Sequence, residues 1–303
     1  MSAYNRWWLR GCLFVAGGLW GITPALSRIA TDAGGHPLGL TLWQGLGGGA
    51  AMLVVVWLRG SRLPLAPKRL LFYGVCGLTG TAIPTTLLFA SAQHLPVGII
   101  ALAISAVPLL TYAIAIMVRV DALSPVRVAG IMLGLLAVCL LVLPEQGLPA
   151  TASVGWLLAA MVIPLLYASE NNIIAVFRPA DVDAWTLVCG MLLCGGLAIL
   201  PVTYLSDSFT PINYPFRVIE WTTLALIAVN IICYATFIYV IRLAGPVFAS
   251  QANYITMLVG VLVGIIVFSE QHSAWVWAAI VLMILGMALV EERPKPEREQ
   301  RHA

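Results

Sequence analysis

The chain has 303 residues, of which 61% are hydrophobic and only 10% charged, and a net charge of +3 at pH 7. A water-soluble domain carries about 25% charged residues and could not hide this much apolar surface, whereas in lipid there is no need to hide it. The basic residues concentrate at one face, as counted below, so the positive balance reports orientation and not nucleic-acid binding.

In chain order, apolar runs bounded by charges, Gly and Pro predict ten membrane-spanning helices. They lie near 11–30, 40–58, 70–91, 97–118, 126–143, 153–176, 184–205, 219–241, 247–268 and 274–290. The first run is long, leads into another span and has no convincing cleavage site, so it is expected to be a helix and not a removable signal. The connections at 92–96 and 242–246 are short, and Pro96 and Pro246 mark breaks there because proline suits the first turn of a new helix. Cys12, Cys76, Cys139, Cys189, Cys194 and Cys233 all fall inside apolar runs without a CxxC pair, and are expected to be packing residues without a disulfide or a metal. The domain organisation is then a cytoplasmic N-terminus at 1–10, a first five-helix unit at 11–143, a second at 153–290, and a solvated, disordered cytoplasmic tail at 291–303.

Lys and Arg set the orientation. With the N-terminus inside, fourteen of the sixteen basic residues fall in cytoplasmic segments, among them Arg59, Arg62, Lys68 and Arg69 in one loop. Only Arg217 and Arg28 lie towards the other side. This asymmetry puts both termini in the cytoplasm and requires an even number of spans.

An internal repeat accompanies the spans. A shift of 149 places sets Gln93 against Arg242, Pro108 against Met257 and Asp121 against Glu270, and a shift of 147 pairs Trp20 with Tyr167. A repeated unit with an odd number of spans must enter the membrane from opposite sides, so the two halves would be inverted relative to each other.

These positions also carry a family resemblance. Leu19-Trp20-Gly21, the series Pro108, Asp121, Gly130, and the step Ser269-Glu270 followed by Gly286 resemble the pattern of the EamA-type carriers of the drug/metabolite transporter superfamily. Gln44 stands where a basic residue is common, Met257 where a second proline is, and Asp121 where glutamate is usual. The resemblance covers about 10–290 and implies an all-α integral membrane protein: ten helices in two inverted five-helix repeats around a central cavity, working by alternating access. It further implies export of an amino acid or another small metabolite or drug. The chain has no glycine-rich phosphate loop, so movement would draw on a gradient or on exchange.

Glu170 is the most informative residue within a span, roughly 12 Å from the cytoplasmic end at about 1.5 Å per residue. A carboxylate at that depth costs a few kcal/mol unless it faces water, a partner or a substrate. It reads as a possible proton site or as the anchor of a substrate ammonium, the structural alternative being a hydrogen bond to a neighbouring helix. The candidate substrate-binding set is Trp20, Thr23, Thr85, Ser105, Tyr167, Glu170, Asn171, Asn230, Tyr234, Gln251 and Tyr254, with Pro24, Thr81, Pro84 and Thr86 at related depths. Asn230 with Tyr234, and Gln251 with Tyr254, share a helix face by spacing. Interhelical hydrogen bonding is the alternative for each polar member. Arg28 and His36 sit near the outer mouth, Arg28 reading as a snorkelling or gating residue and His36 as a loop residue. Asp121 and Glu270 read as caps of the helices that follow them, or as gates. Gly17/Gly21, Gly45/Gly49, Gly130/Gly134 and Gly260/Gly264 would let helices approach closely, and Pro24, Pro84, Pro108 and Pro164 would bend them.

The reading is a secondary active transporter exporting a small organic metabolite such as an amino acid or amine. A sugar phosphate would need several intramembrane bases. The alternatives are a carrier of a lipid-linked or amphiphilic substrate and, in another class, a membrane enzyme, receptor or assembly subunit. An enzyme is not expected, because His36, His94, His272 and His302 are scattered over loops and the tail. No cofactor and no metal is expected; the partners are a small-molecule substrate and the bilayer, the chain working as a monomer in a bacterial inner membrane.

Overall fold

The computed structural model describes residues 3–119, 121, 123–142, 154–244 and 252–290. Among these there are helices and no strand. Lipid offers the backbone no hydrogen-bond partners, so each apolar run satisfies its own N–H and C=O groups by coiling. Among the described residues, seven stretches are long and apolar enough to cross a membrane: Trp7–Asp32, Pro37–Leu58, Pro67–Ala92, Val97–Met117, Val154–Phe177, Ala184–Leu205 and Val218–Phe237. Three further apolar helices among the described residues, Pro125–Leu140, Ala252–Phe268 and Ala274–Val290, are shorter than this.

Several spans are interrupted, and proline marks the joints. The first divides into α1 (Ala3–Gly21) and α2 (Thr23–Asp32), with Pro24 in the opening turn of α2. After α3 (Pro37–Leu58), the next span runs through α4 (Pro67–Gly77), a π-helical turn at Leu78–Ala82 and α5 (Ile83–Ala92), whose first turn holds Pro84. Then come α6 (Val97–Ile104) and α7 (Val107–Met117), broken at Ser105-Ala106 just before Pro108. The first turn of a helix has no intrahelical use for the missing N–H, so these three prolines start new segments. Pro164, by contrast, lies within α9 (Val154–Phe177), and Pro201 within α10 (Ala184–Leu205). The remaining helices are α8 (Pro125–Val142), α11 (Val218–Ala244), α12 (Ala252–Phe268) and α13 (Ala274–Val290). The expected tail at 291–303 lies outside the described residues.

Matched local features occur at the shifts read from the sequence. Helices α3 and α10 are each 22 residues long and begin 147 positions apart. Both are capped by a side chain at that same shift: His36 Nδ1 accepts from Leu38 N–H, and Asp183 Oδ1 accepts from Thr186 N–H. Both end alike, with Ser61 N–H on Val56 O and Ser208 N–H on Thr203 O, through Gly60 and Asp207 at φ 69° and 49°. His36 is therefore more than a loop residue: its ring starts a helix, and its backbone N–H donates to Thr210 Oγ1. At the shift of 149, Asp121 N–H reaches Ala115 O and Glu270 N–H reaches Gly264 O, the same closing bond in both places.

Glycines bring the helices together. A Cβ on Gly45 of α3 would lie 2.7 Å from Gly196 Cα of α10, and one on Gly196 would lie 2.8 Å from Leu46 N, so the two backbones touch. Helices α8 and α13 meet in the same way at Gly130 and Gly286, and α1 meets α12 at Gly17 and Gly21. Without a hydrophobic drive between helices in lipid, such close van der Waals approach supplies the packing. Buried side chains fill the rest: Met52, Tyr73, Cys76, Cys189 and Met191 between α3, α4 and α10, and Ile99, Leu102, Leu109, Met257 and Met283 among α6, α7, α12 and α13. Trp7, Trp8, Trp57, Trp275 and Trp277 are exposed at helix ends, as interfacial anchors would be. The six cysteines are free.

Glu270 does not cap the helix that follows it. Its carboxylate accepts from Val97 N–H at 2.5 Å and Gly98 N–H at 3.0 Å, at the start of α6. Pro96 leaves that helix without a side-chain cap of its own, and the reversal after α12 brings Glu270 across to supply it. Asp121 instead holds Arg127 of α8, at 2.8 Å. Glu270→Ala should cost about 1–2 kcal/mol, read as a lower melting temperature of the purified protein; an unchanged melting temperature would contradict the capping role. His272 packs beside this cap, with Nε2 3.5 Å from Glu270 Oε2 and its side chain almost fully buried. Burial pulls the imidazole pKa below its usual value, and Glu270 partly opposes the shift. The unfolded chain thus takes the proton first, so the His272 contribution is complete above about pH 6.5 and is lost as pH falls below that. The fall in melting temperature between pH 7.5 and pH 5 should be smaller in His272→Gln than in the natural protein; equal falls would show that His272 does not titrate in this way.

Candidate functional site

The sequence places polar side chains on several spans, and the fold gathers a subset around one small cavity. From α3 come Thr41, Gln44 and Gly45; from the π-helical turn, Gly80, Thr81 and Ala82; and from α5, Thr85. The other half supplies Tyr167 of α9, Leu192, Gly195 and Gly196 of α10, and Asn230 and Tyr234 of α11. The cavity measures about 40 Å³, room for roughly three waters. The glycines bring backbone close on three sides: Gly196 meets Gly45, Gly195 meets Gly77, and Gly80 meets Glu170.

Glu170 is 7% exposed, and its carboxyl rests on the bare Cα of Gly80, where a Cβ would overlap the carboxyl carbon and both oxygens. It stands behind the cavity wall, not among the lining residues. Gly80 sits in the π-helical turn, a local widening that often marks functional positions. Thr81 donates to Gly77 O across that turn, and Thr86 donates to Thr41 Oγ1 at 3.1 Å, tying α5 to α3.

Of the residues expected from sequence, Thr85, Tyr167, Asn230 and Tyr234 line the cavity and Glu170 abuts it. Trp20 backs Tyr234 edge-on at 5.8 Å between ring centroids, and Phe237 at 5.2 Å. The others lie elsewhere. Thr23 donates to Leu19 O across the joint between α1 and α2, and buried Ser105 donates to Leu102 O at the joint after α6. Asn171 is exposed and donates to Thr111 Oγ1 of α7, beside Asn172, which donates to Thr111 O and Ala168 O. Tyr254 packs against the cluster around Met257 and Val261, and Gln251 lies outside the described residues. Arg28 pairs with Asp32 at 3.5 Å and lies 5.4 Å from the Phe268 ring centroid, away from the cavity.

Sequence reasoning missed Thr41, Gln44 and Gly80 as contributors, along with the lining residues Ala82, Leu192, Gly195 and Gly196. The spacing of Thr41 and Gln44, three residues apart on one helix face, is a usable signal. Gly80 has none, because a glycine that seats a distant carboxylate looks like any other glycine in a span. The first half therefore supplies as much of the polar lining as the second.

Residues 9–143 match the EamA-like transporter family. The chain is 25% identical to Protein PecM of Dickeya dadantii over 221 residues, 72% of either chain. It is 25% identical to the uncharacterized inner membrane transporter YedA of Escherichia coli over 295 residues, covering 93% of this chain and 90% of YedA. A crystal structure 23% identical in sequence superposes with a TM-score of 0.63 over 92% of this chain and 94% of its own, which supports the fold.

Proposed function

We propose that the chain is an EamA-type carrier of the drug/metabolite transporter superfamily, a secondary active transporter exporting a small organic metabolite, such as an amino acid or amine, by alternating access. The observation that carries this reading is the buried Glu170 carboxyl seated on Gly80 behind a cavity to which both halves contribute. Intramembrane ionisable residues are costly and persist where they face a pathway or a partner. Matched features at shifts of 147 and 149 support ten spans in two inverted five-helix halves. The antiparallel approach of α3 and α10, Gly45 against Gly196 and Gly49 against Leu193, is the contact such an inversion would place on its axis.

A cavity of about 40 Å³ is too small for an organic solute, since ligand sites run to hundreds of Å³. In this reading the structure is a closed state, and opening to either face separates the halves. The joints at Ile22, at the π-helical turn and at Ser105-Ala106 let segments tilt without breaking whole helices. The positive-inside asymmetry supports an inner-membrane location with both termini in the cytoplasm. Uptake and counterflow in proteoliposomes with amino acids, amines and nucleosides, with and without a pH gradient, test the proposal. Saturable movement of at least one solute is expected; no movement across the panel would contradict it.

A further inference from the structure

We infer that the site selects a small organic cation without a carboxylate, an amine in preference to the amino acid of the same side chain. The inference rests on the transport reading above and decides between its two named substrate classes.

The charge inventory carries the argument. Among the described residues lining the cavity there is no Lys, Arg, His, Asp or Glu. Glu170 is the acidic side chain that abuts the cavity, its carboxyl seated on Gly80 of the wall. Arg28, the base expected nearest the pathway, is held by Asp32 and Phe268. A monovalent cation beside the Glu170 carboxylate leaves the filled cavity neutral. A zwitterion brings a second carboxylate into the same low-dielectric space, with neutral amides and hydroxyls as its partners and a like charge nearby. Burying a carboxylate without a cationic partner is among the most expensive things a site can do.

The walls fit the same ligand. Tyr167 and Tyr234 line the cavity, Trp20 packs edge-on against Tyr234, and aromatic faces attract desolvated cations. Gln44 is 6% exposed and Asn230 partly buried, and their amide oxygens can accept the remaining ammonium N–H bonds.

The test uses matched twins that differ only in the carboxylate: tyramine with tyrosine, phenethylamine with phenylalanine, tryptamine with tryptophan. Counterflow into proteoliposomes at pH 7 is measured for each, with melting temperature of the detergent-solubilised protein as a binding readout. At least one amine is expected to move about tenfold or more faster than its amino acid, and to raise the melting temperature where the twin does not. Glu170→Asp should keep that preference and Glu170→Gln should lose it. Amino acids moving as fast as or faster than their amines would overturn the inference and leave the transport reading intact. A preference unchanged in Glu170→Gln would overturn its electrostatic basis. If no amine moves or stabilises while another solute is transported, the inference fails alone; if no solute of either kind moves or stabilises, both readings fail.

Discussion

Glu170→Gln should lower transport by between about 10- and 100-fold while leaving the melting temperature within a few degrees. The substitution keeps the shape that rests on Gly80 and removes only the charge. A hydrogen bond to a charged group contributes about 1.5–3 kcal/mol, and each 1.4 kcal/mol is about tenfold in affinity. A complementary variant leaves the charge and removes its seat. In Gly80→Ala the new methyl occupies the position of the carboxyl itself, so Glu170 must turn away from the cavity wall. Transport should fall to a similar level, although alanine is the better helix former. Adding Gly80→Ala to Glu170→Ala should do no further harm, because the group it displaces is already gone. Full transport by Gly80→Ala would show that the seat is irrelevant.

Gly196→Leu should prevent proper assembly. The two backbones at Gly45 and Gly196 are already in contact, and a Cβ at Gly196 meets Leu46 N at 2.8 Å and Gly45 C at 3.0 Å. Neither obstacle is a flexible side-chain tip, so α3 and α10 must move apart along a contact that runs the length of both helices. Overpacking of this kind costs about 3 kcal/mol or more, a loss of roughly 6–12 °C in melting temperature for a chain of this size. Gly74→Leu is the control, since nothing lies within 4 Å of a Cβ there. A monodisperse Gly196→Leu protein as stable as that control would contradict the packing described.

Much of the fold was legible because lipid imposes simple rules. Spans read directly as apolar runs, and prolines 24, 84 and 108 mark real joints because a missing N–H is harmless only in a first turn. The shifts of 147 and 149, faint as letters, reappear as shared caps and helix endings, since backbone geometry tolerates sequence change better than side-chain identity does. What the sequence concealed lies between helices. Nothing in the spacing around Glu270 shows that it caps α6 and not α13, because that depends on which helix the reversal brings alongside. Asn171 and Asn172 look equivalent as letters, yet both tie α9 to α7, away from the cavity. The cavity set was half legible: Tyr167, Asn230 and Tyr234 announce themselves as polar groups in spans, whereas the role of Gly80 exists only in the company of Glu170.

Access to the cavity from both faces is the central expectation of the account. A single cysteine at Asn230, in a protein whose six natural cysteines have been replaced, can be challenged with a membrane-impermeant thiol reagent in right-side-out and inverted vesicles. Labelling is expected from either face, with a transported solute raising one rate and lowering the other. Labelling confined to one face, unmoved by any transported solute, would contradict alternating access through this cavity.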